Sequence, residues 1–587
     1  MHAKAIWVKK GKMLPRAVGA ETYQRTSEKY PNMLYGLYRL IESSHQSLGP
    51  YRPRTLALVT YCLVLIGCGG GGGGGGNQAL APVSPTTPTQ GSDFSRGVFS
   101  PASNFQAQCG APRQGTDPFT GGLYPDQPGD FLDENYFLRS WSNDTYLWYD
   151  EINDVDPAVY DENTNDVRDY FDLLRTFALT PSGTEKDQFH FFQDTAEYQQ
   201  RQSSGQEAGY GVRLELISGS PPREIIVSYV VDDFARLNPN VVLERGASIL
   251  SVDGVDVAYG SDVDTLNRGL FPEAGASHEL EVRDLGATET RTINVTAGIV
   301  TEPPVLLTEI LETDTGAVGY LVFNSFNDPS EAQLVAAIES FQEADVVDVV
   351  LDIRYNGGGL LAIASQLAYM LVGPGAASGR TFEELQFNDK YPNTNPVTLE
   401  SLSPDPFLTT AVGFSVPANT ALPWLELNRL FVLTTSATCS ASESLINGLR
   451  GIDIPVYQFG SNTCGKPYGF YPQNNCGTTY FTIQFKGINA KGFGDYSEGF
   501  APISDTDNTL SSDQLPGCTV GENYSPLGSG SESLLQSALA YRLNEGGCPA
   551  SSSLATVTPT TKSRPVSSDQ VIARPQSPGR ILLREQP

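Results

Sequence analysis

The sequence predicts an α/β core, a sheet covered by helices, joined to a small β-domain and preceded by a mainly helical N-terminal domain. Three observations carry this. From about residue 300, strand-like apolar runs alternate with helix-like ones, the pattern of a sheet covered by helices with a site at the strand ends. Between about 207 and 299 the runs are short and β-like, separated by Gly, Pro, Asn and Asp. Before them, Phe131, Leu132, Tyr136, Phe137, Trp141, Tyr146, Leu147 and Trp148 recur at spacings that suit an amphipathic helix.

In chain order, residues 1–67 read as an export signal region. Arg52 and Arg54 flank an apolar run, Thr55 to Gly67, too short to span a bilayer comfortably and the length of a signal core. The run ends in Leu65-Ile66-Gly67-Cys68, followed by polyglycine and a Pro/Ser/Thr-rich stretch to residue 104, a flexible tether. The helical N-terminal domain is expected over 105–204, where "DVRDYFDLLRTFAL" adds a second helix. The β-domain follows over 205–299. The α/β core is expected over 300–550: "AVGYLVFNSF" as a strand, "PSEAQLVAAIESFQEA" as a helix with Pro329 at its start, "VVDVVLDIRYNGGG" as a buried strand ending in a glycine loop, then "LLAIASQLAYMLVG" as a helix. "RLFVLTTSATCS" is a strand that runs into another helix. Residues 551–587, Pro/Ser/Thr-rich, read as a disordered tail.

The net charge of −29 is unevenly placed. Residues 1–67 hold ten Lys/Arg and three Glu, a net of +7, so the remainder carries −36. A body this acidic repels phosphate backbones, which argues against nucleic acid as a partner. Beyond Cys62 and Cys68, six cysteines remain, an even number that suits disulfides in an oxidising compartment. No C-x-x-C pair and no zinc-type Cys/His spacing exists, so neither cofactor nor metal is expected. After the signal region only His190 and His278 remain.

Ser440 draws attention at the start of "SASESLINGLRG". With Glu443 three residues on, it fits the S-x-x-E capping box; at a helix N-terminus it also fits a nucleophile. A nucleophilic serine needs a base. His190 is far upstream, whereas Lys466 in "TCGKPYGF" lies among Tyr468, Phe470 and Tyr471, whose shielding would favour the neutral amine.

Two resemblances join these pieces. Gly209-Tyr210-Gly211-Val212 and "ERGASILSVDGVDV" resemble a PDZ domain, in which the first four residues would hold a peptide's C-terminal carboxylate. With "VGYLVFNSF", "LDIRYNGGGLL", the SASE run and the Gly-Lys pair, residues 205 to 510 resemble the C-terminal processing (tail-specific) serine proteases. The resemblance implies a ClpP/crotonase-like core with Ser440 as nucleophile and Lys466 as base. Ala441 and either Gly358 or Gly359 would donate to the oxyanion. Ser440 then reads as both cap and nucleophile. Departures stand out: Phe470 occupies the place of an orienting Gln, and Gly451, with Asp453 nearby, that of an acid, which leaves Tyr468 and Gln473 as candidates for the third residue.

The resulting expectation is a serine endopeptidase of envelope or unfolded polypeptides; the alternative is a non-catalytic PDZ lipoprotein with a degenerate cleft. Leu65 to Cys68 resembles a bacterial lipobox, which implies lipidation of Cys68 and a membrane anchor; Gly69 after the Cys points to the outer membrane. Among the cysteines, Cys518 with Cys548 and Cys464 with Cys476 are the favoured pairs. Oligomeric state is not legible.

Overall fold

The computed structural model describes residues 94–504, 510–543 and 547–548, with the backbone of 580–581. Cys68 and the expected lipobox lie outside the described residues, as does nearly all of the expected tail. Among the described residues no helix is long and apolar enough to cross a membrane.

The main sheet has seven strands in the order Val305–Leu311, Val318–Phe323, Asp348–Asp352, Leu430–Thr434, Val456–Gly460, Gln514–Thr519, Ala501–Ile503. The first pair is antiparallel and every later pair parallel. Its central strands are apolar at consecutive positions because both faces are covered. Leu321, Phe323, Val349, Leu351 and Val432 pack on one side with the helices Ser330–Glu343, Leu361–Ala377 and Ala441–Gly451. Tyr320, Val322, Val350, Phe431 and Leu433 pack on the other with the helix Ser533–Leu543.

Residues 205–301 form a β-unit with its own core, built on Val227, Ile249, Val252, Leu266, Leu280 and Val282. Five strands pair antiparallel in the order Arg291–Thr296, Ser277–Arg283, Ser248–Val252, Glu224–Val230, Val212–Ser218. Gln206–Gly209 pairs with Gly298–Thr301 where the unit begins and ends.

The N-terminal segment is helical over Phe131–Thr145, Thr164–Leu173 and Thr195–Ser204. It is not a separate body. Its strand Phe191–Asp194 pairs with Thr478–Phe481 of the core, and Tyr146, Phe191 and Tyr198 join the main hydrophobic core. A disulfide between Cys109 and Cys476 fastens the same seam.

The structure pairs Cys518 with Cys548. The expected Cys464–Cys476 bridge is not made: Cys464 bonds Cys439 and Cys476 bonds Cys109. Proximity in sequence misled here, because Cys476 sits on the turn between Gln473–Asn475 and Thr478–Phe481, which faces the N-terminal segment. Within the tail, Arg580–Ile581 pairs in parallel with Tyr468–Phe470.

Candidate active site

Three adjacent parallel strands deliver the site from their C-terminal ends. Asp348–Asp352 leads to the glycine loop 357–359, Leu430–Thr434 to Ser440, and Val456–Gly460 to Lys466. This end of such a sheet is where chain reversals leave a crevice.

Ser440 is fully buried directly before the helix Ala441–Gly451, with φ +63° and ψ −109°. A left-handed φ in a residue with a Cβ costs about 1–3 kcal/mol and is sustained only by surrounding structure. Its Oγ has no hydrogen-bond partner. The reciprocal cap expected from the S-x-x-E pattern is therefore only half made. Glu443 accepts the Ser440 N–H at 2.8 Å, and the serine hydroxyl is left over.

Gly358 and Gly359 adopt φ +102° and +139°, open to glycine and disfavoured for other residues. A Cβ on Gly358 would lie 2.9 Å from the Ser440 Cβ and 3.0 Å from the Ala441 nitrogen, so glycine keeps clear the space before that N–H. A Cβ on Gly359 would lie 2.3 Å from the Phe326 carbonyl oxygen. Gly358 does not itself point a donor there: its N–H is given to Asn356 Oδ1 at 2.9 Å, because the Asn side chain folds back to close the turn.

Lys466 is buried, 2% exposed. Its Nζ lies 4.4 Å from the Phe470 ring centroid and 4.7 Å from that of Phe189. Burial among these rings pulls its pKa down to about 7, against the opposing pull of the Asp187 and Glu443 carboxylates. Phe470, standing where the resemblance expects a polar residue, is thus part of the apolar wall. Asp187 is held by the Tyr146 hydroxyl at 2.6 Å and by the Phe189 N–H at 2.9 Å.

Glu443 joins the two candidates. Its Oε2 accepts the N–H groups of Ser440 and Lys466, each at 2.8 Å; its Oε1 accepts the Gly465 N–H at 2.8 Å and the Thr463 hydroxyl at 2.6 Å. Burial raises its pKa, and these hydrogen bonds oppose the rise. Cys439, Glu443 and Cys464 are close enough to suggest a metal set, but both sulfurs are spent in a disulfide and both oxygens are engaged by donors.

The other candidates are not brought in. His190 donates Nε2–H to the Phe171 carbonyl at 2.8 Å, which leaves Nδ1 to accept from Thr482 at 3.1 Å; burial lowers its pKa to about 4. It is a packed, neutral imidazole, not a base for Ser440. Tyr468 stands edge-on to Trp148, Gln473 bonds the Asn474 carbonyl, and exposed Asp453 pairs with Lys491. Asp187 and Phe189 were missed in the sequence, since nothing local ties them to residues so far along the chain.

In the β-unit, Tyr210 is buried and donates its hydroxyl to the Gly269 carbonyl at 2.8 Å, while Gly211 has φ +86° and no room for a Cβ beside Phe234. Gly209, Tyr210 and Val212 line a groove of about 440 Å³ with Leu270 and Phe271. Arg201 and Arg213 line both this groove and a small cavity against Gly357, Gly358 and Gly359.

Residues 317–470 match the model of peptidase family S41, a stretch that contains Gly358, Gly359, Ser440, Ala441 and Lys466. That segment is a peptidase family S41 domain. Two curated proteins are similar to part of the chain. The chloroplastic C-terminal processing peptidase of Tetradesmus obliquus is 29% identical over 187 residues, covering 30% of this chain and 39% of that protein. The carboxyl-terminal-processing protease of a Picosynechococcus species is 28% identical over 173 residues, covering 28% of this chain and 39% of its own. The chain thus spans about two fifths of the length of these relatives. Among solved structures, a candidate S41 protease from Bacteroides fragilis aligns over 72% of this chain and 99% of its own, with 22% identity and a TM-score of 0.49.

Proposed function

We propose that this chain is a serine endopeptidase that hydrolyses polypeptides through an acyl-enzyme, with Ser440 as nucleophile and Lys466 as general base. The observation that carries the reading is the Ser440 hydroxyl: buried, strained in its backbone, unpartnered, and set at a helix N-terminus inside the S41 domain. A hydroxyl left unsatisfied in this way is expensive unless a substrate uses it.

Neutral Lys466 takes the Ser440 proton as Oγ attacks the scissile carbonyl. Negative charge then grows on the carbonyl oxygen. The Ala441 N–H, backed by the positive end of its helix, faces it, with Gly359 as the second donor. Lys466 returns the proton to the leaving amine, and water repeats the sequence on the ester. Ser440 and Lys466 are not hydrogen-bonded in the resting site, and catalytic hydrogen bonds of this kind often tighten only with substrate bound.

In this reading the β-unit over 205–299 is a PDZ-like peptide reader, with Gly209, Tyr210, Gly211 and Val212 receiving the substrate's C-terminus. Export, lipidation at Cys68 and outer-membrane anchoring complete it, which places the substrates among envelope polypeptides. The test is incubation of the chain and of its Ser440→Ala form with an unfolded polypeptide. Fragments from the first alone are expected; equal fragmentation by both would remove Ser440 from the mechanism.

A further inference from the structure

The three disulfides are not equivalent. Cys109–Cys476 and Cys518–Cys548 fasten the N-terminal seam and the end of the main sheet. Cys439–Cys464 joins the residue immediately before Ser440 to the residue two before Lys466. Ser440 and Lys466 are buried, while both cysteines are part-exposed, so the bond lies nearer the rim of the site than the pair it joins. The backbone runs the same way: Cys439 donates its N–H to the Asn356 carbonyl and Cys464 to that of Thr438, each at 3.0 Å. One covalent link therefore joins the nucleophile turn to the lysine loop, and a backbone hydrogen bond to Asn356 continues the tie to the residues before the glycine loop.

We propose that the Cys439–Cys464 disulfide is a positioning element of the catalytic pair, which holds the Lys466 loop against the Ser440 turn so that its reduction disables cleavage without unfolding the chain. The inference rests on the Ser440/Lys466 reading above. Without the bond, the lysine loop is held to the nucleophile helix chiefly by hydrogen bonds to Glu443. Those bonds position backbone atoms, and the Lys466 amine must be placed to a fraction of an ångström; a misplacement of about 1 Å in a reacting group can cost about 100-fold in rate. A loosened loop also admits water to the space now closed by Phe189 and Phe470. The charged groups facing that amine, Asp187 and Glu443, both favour its protonated form. The pH at which Lys466 loses its proton should then rise.

Reduction is a two-electron exchange with a dithiol. One thiolate attacks a cysteine sulfur to give a mixed disulfide and releases the other cysteine as a thiolate; the second thiol of the reagent closes its own ring. Cys439 and Cys464 are left as two thiols and the reagent as a cyclic disulfide.

The test uses the full chain purified without reductant, its Cys439→Ser/Cys464→Ser form and, as a control, Cys109→Ser/Cys476→Ser. Two quantities are read: kcat and KM on an unfolded polypeptide, and the titration of the Lys466 side chain by ¹³Cε chemical shift, assigned with Lys466→Arg. The expected result is a fall in kcat of about tenfold to 100-fold, little change in KM, and a Lys466 midpoint displaced upward; the control keeps the midpoint of the oxidised chain. Dithiol treatment of the unmodified chain, reversed by reoxidation, should reproduce the loss even where the double variant folds poorly. An unchanged Lys466 midpoint in the reduced chain overturns the proposal. That readout needs no cleavage, so it stands apart from failure of the peptidase reading, which would show as an oxidised chain that cuts nothing.

Discussion

Two buried polar clusters sit at the same end of the main sheet, one strand apart, and they are built on opposite principles. The strand Asp348–Asp352 runs into Arg354, which is fully buried. Arg354 pairs with Asp352, with Glu522 at 2.7 Å and with Glu532 at 2.7 Å. Tyr320 adds a hydroxyl to Asp352, and Arg245, from the β-unit, reaches Glu522 and the Tyr355 hydroxyl. The neighbouring strand Leu430–Thr434 runs into Ser440, whose hydroxyl has no partner, beside a lysine that faces rings. One cluster meets every charge with a partner; the other partners Glu443 but leaves the Ser440 hydroxyl without one and sets the Lys466 amine against aromatic rings. Satisfied burial fixes a structure, whereas the unpartnered Ser440 hydroxyl is, in the reading proposed above, left for a substrate to use.

Removing the reactive group should give the largest effect. Ser440→Ala is expected to lower cleavage by about 1,000-fold or more while leaving the urea midpoint unchanged or slightly raised, because it deletes a hydroxyl that bonds nothing. Residual cleavage near the wild-type rate would dissolve the contrast between the clusters.

The converse variant addresses the satisfied cluster. Arg354→Leu strands Asp352, Glu522 and Glu532 with Arg245 alone for positive charge, and is expected to destabilise the chain by about 3–5 kcal/mol. Urea denaturation measures this. A loss below about 1 kcal/mol would mean that the cluster is not the anchor its geometry describes.

How far these clusters were legible in the sequence depends on the distance over which each signal acts. The glycine loop, Ser440 and Lys466 are local motifs, each readable because its chemistry depends on near neighbours. The alternation of strand and helix gave the core for the same reason. Phe189 and Asp187 were invisible, since their role exists only once Phe191–Asp194 pairs with Thr478–Phe481. That pairing also explains why the N-terminal helices looked like a domain of their own: their apolar face is complete in sequence, but part of what it covers belongs to the core. Disulfide partners are likewise a tertiary property. Cys464 could not be matched to Cys439 before the lysine loop was seen folded over the nucleophile turn.

Glu443 is where the clusters' principles meet, and Glu443→Gln sharpens the comparison. Each carboxylate oxygen accepts two donors, so whichever way the amide turns, its NH₂ faces at least one backbone N–H that can only donate: those of Ser440 and Lys466 on one side, that of Gly465 on the other. We expect kcat to fall by about 100-fold, with a lowered urea midpoint. A variant with normal kcat would show that the Ser440 and Lys466 backbones are placed without it.

The smallest effect is set by pH. With a Lys466 pKa of about 7, the neutral amine makes up most of the population at pH 8 and about a tenth at pH 6, so kcat/KM should fall about tenfold between them. Stability carries the mirror image. The unfolded lysine titrates near its ordinary value of 10.5 and the folded one near 7, so the native state is penalised wherever the unfolded chain holds a proton that the folded chain gives up or must bury. The penalty is complete below pH 7, fades between 7 and 10.5, and is gone above. Lys466→Met should therefore raise the urea midpoint at pH 6 and leave it unchanged near pH 11, while abolishing cleavage at both. An ascending limb that survives in Lys466→Met, or a variant no more stable at pH 6 than the parent, would place the titrating base elsewhere and remove the contrast between a lysine set against aromatic rings and an arginine paired with carboxylates.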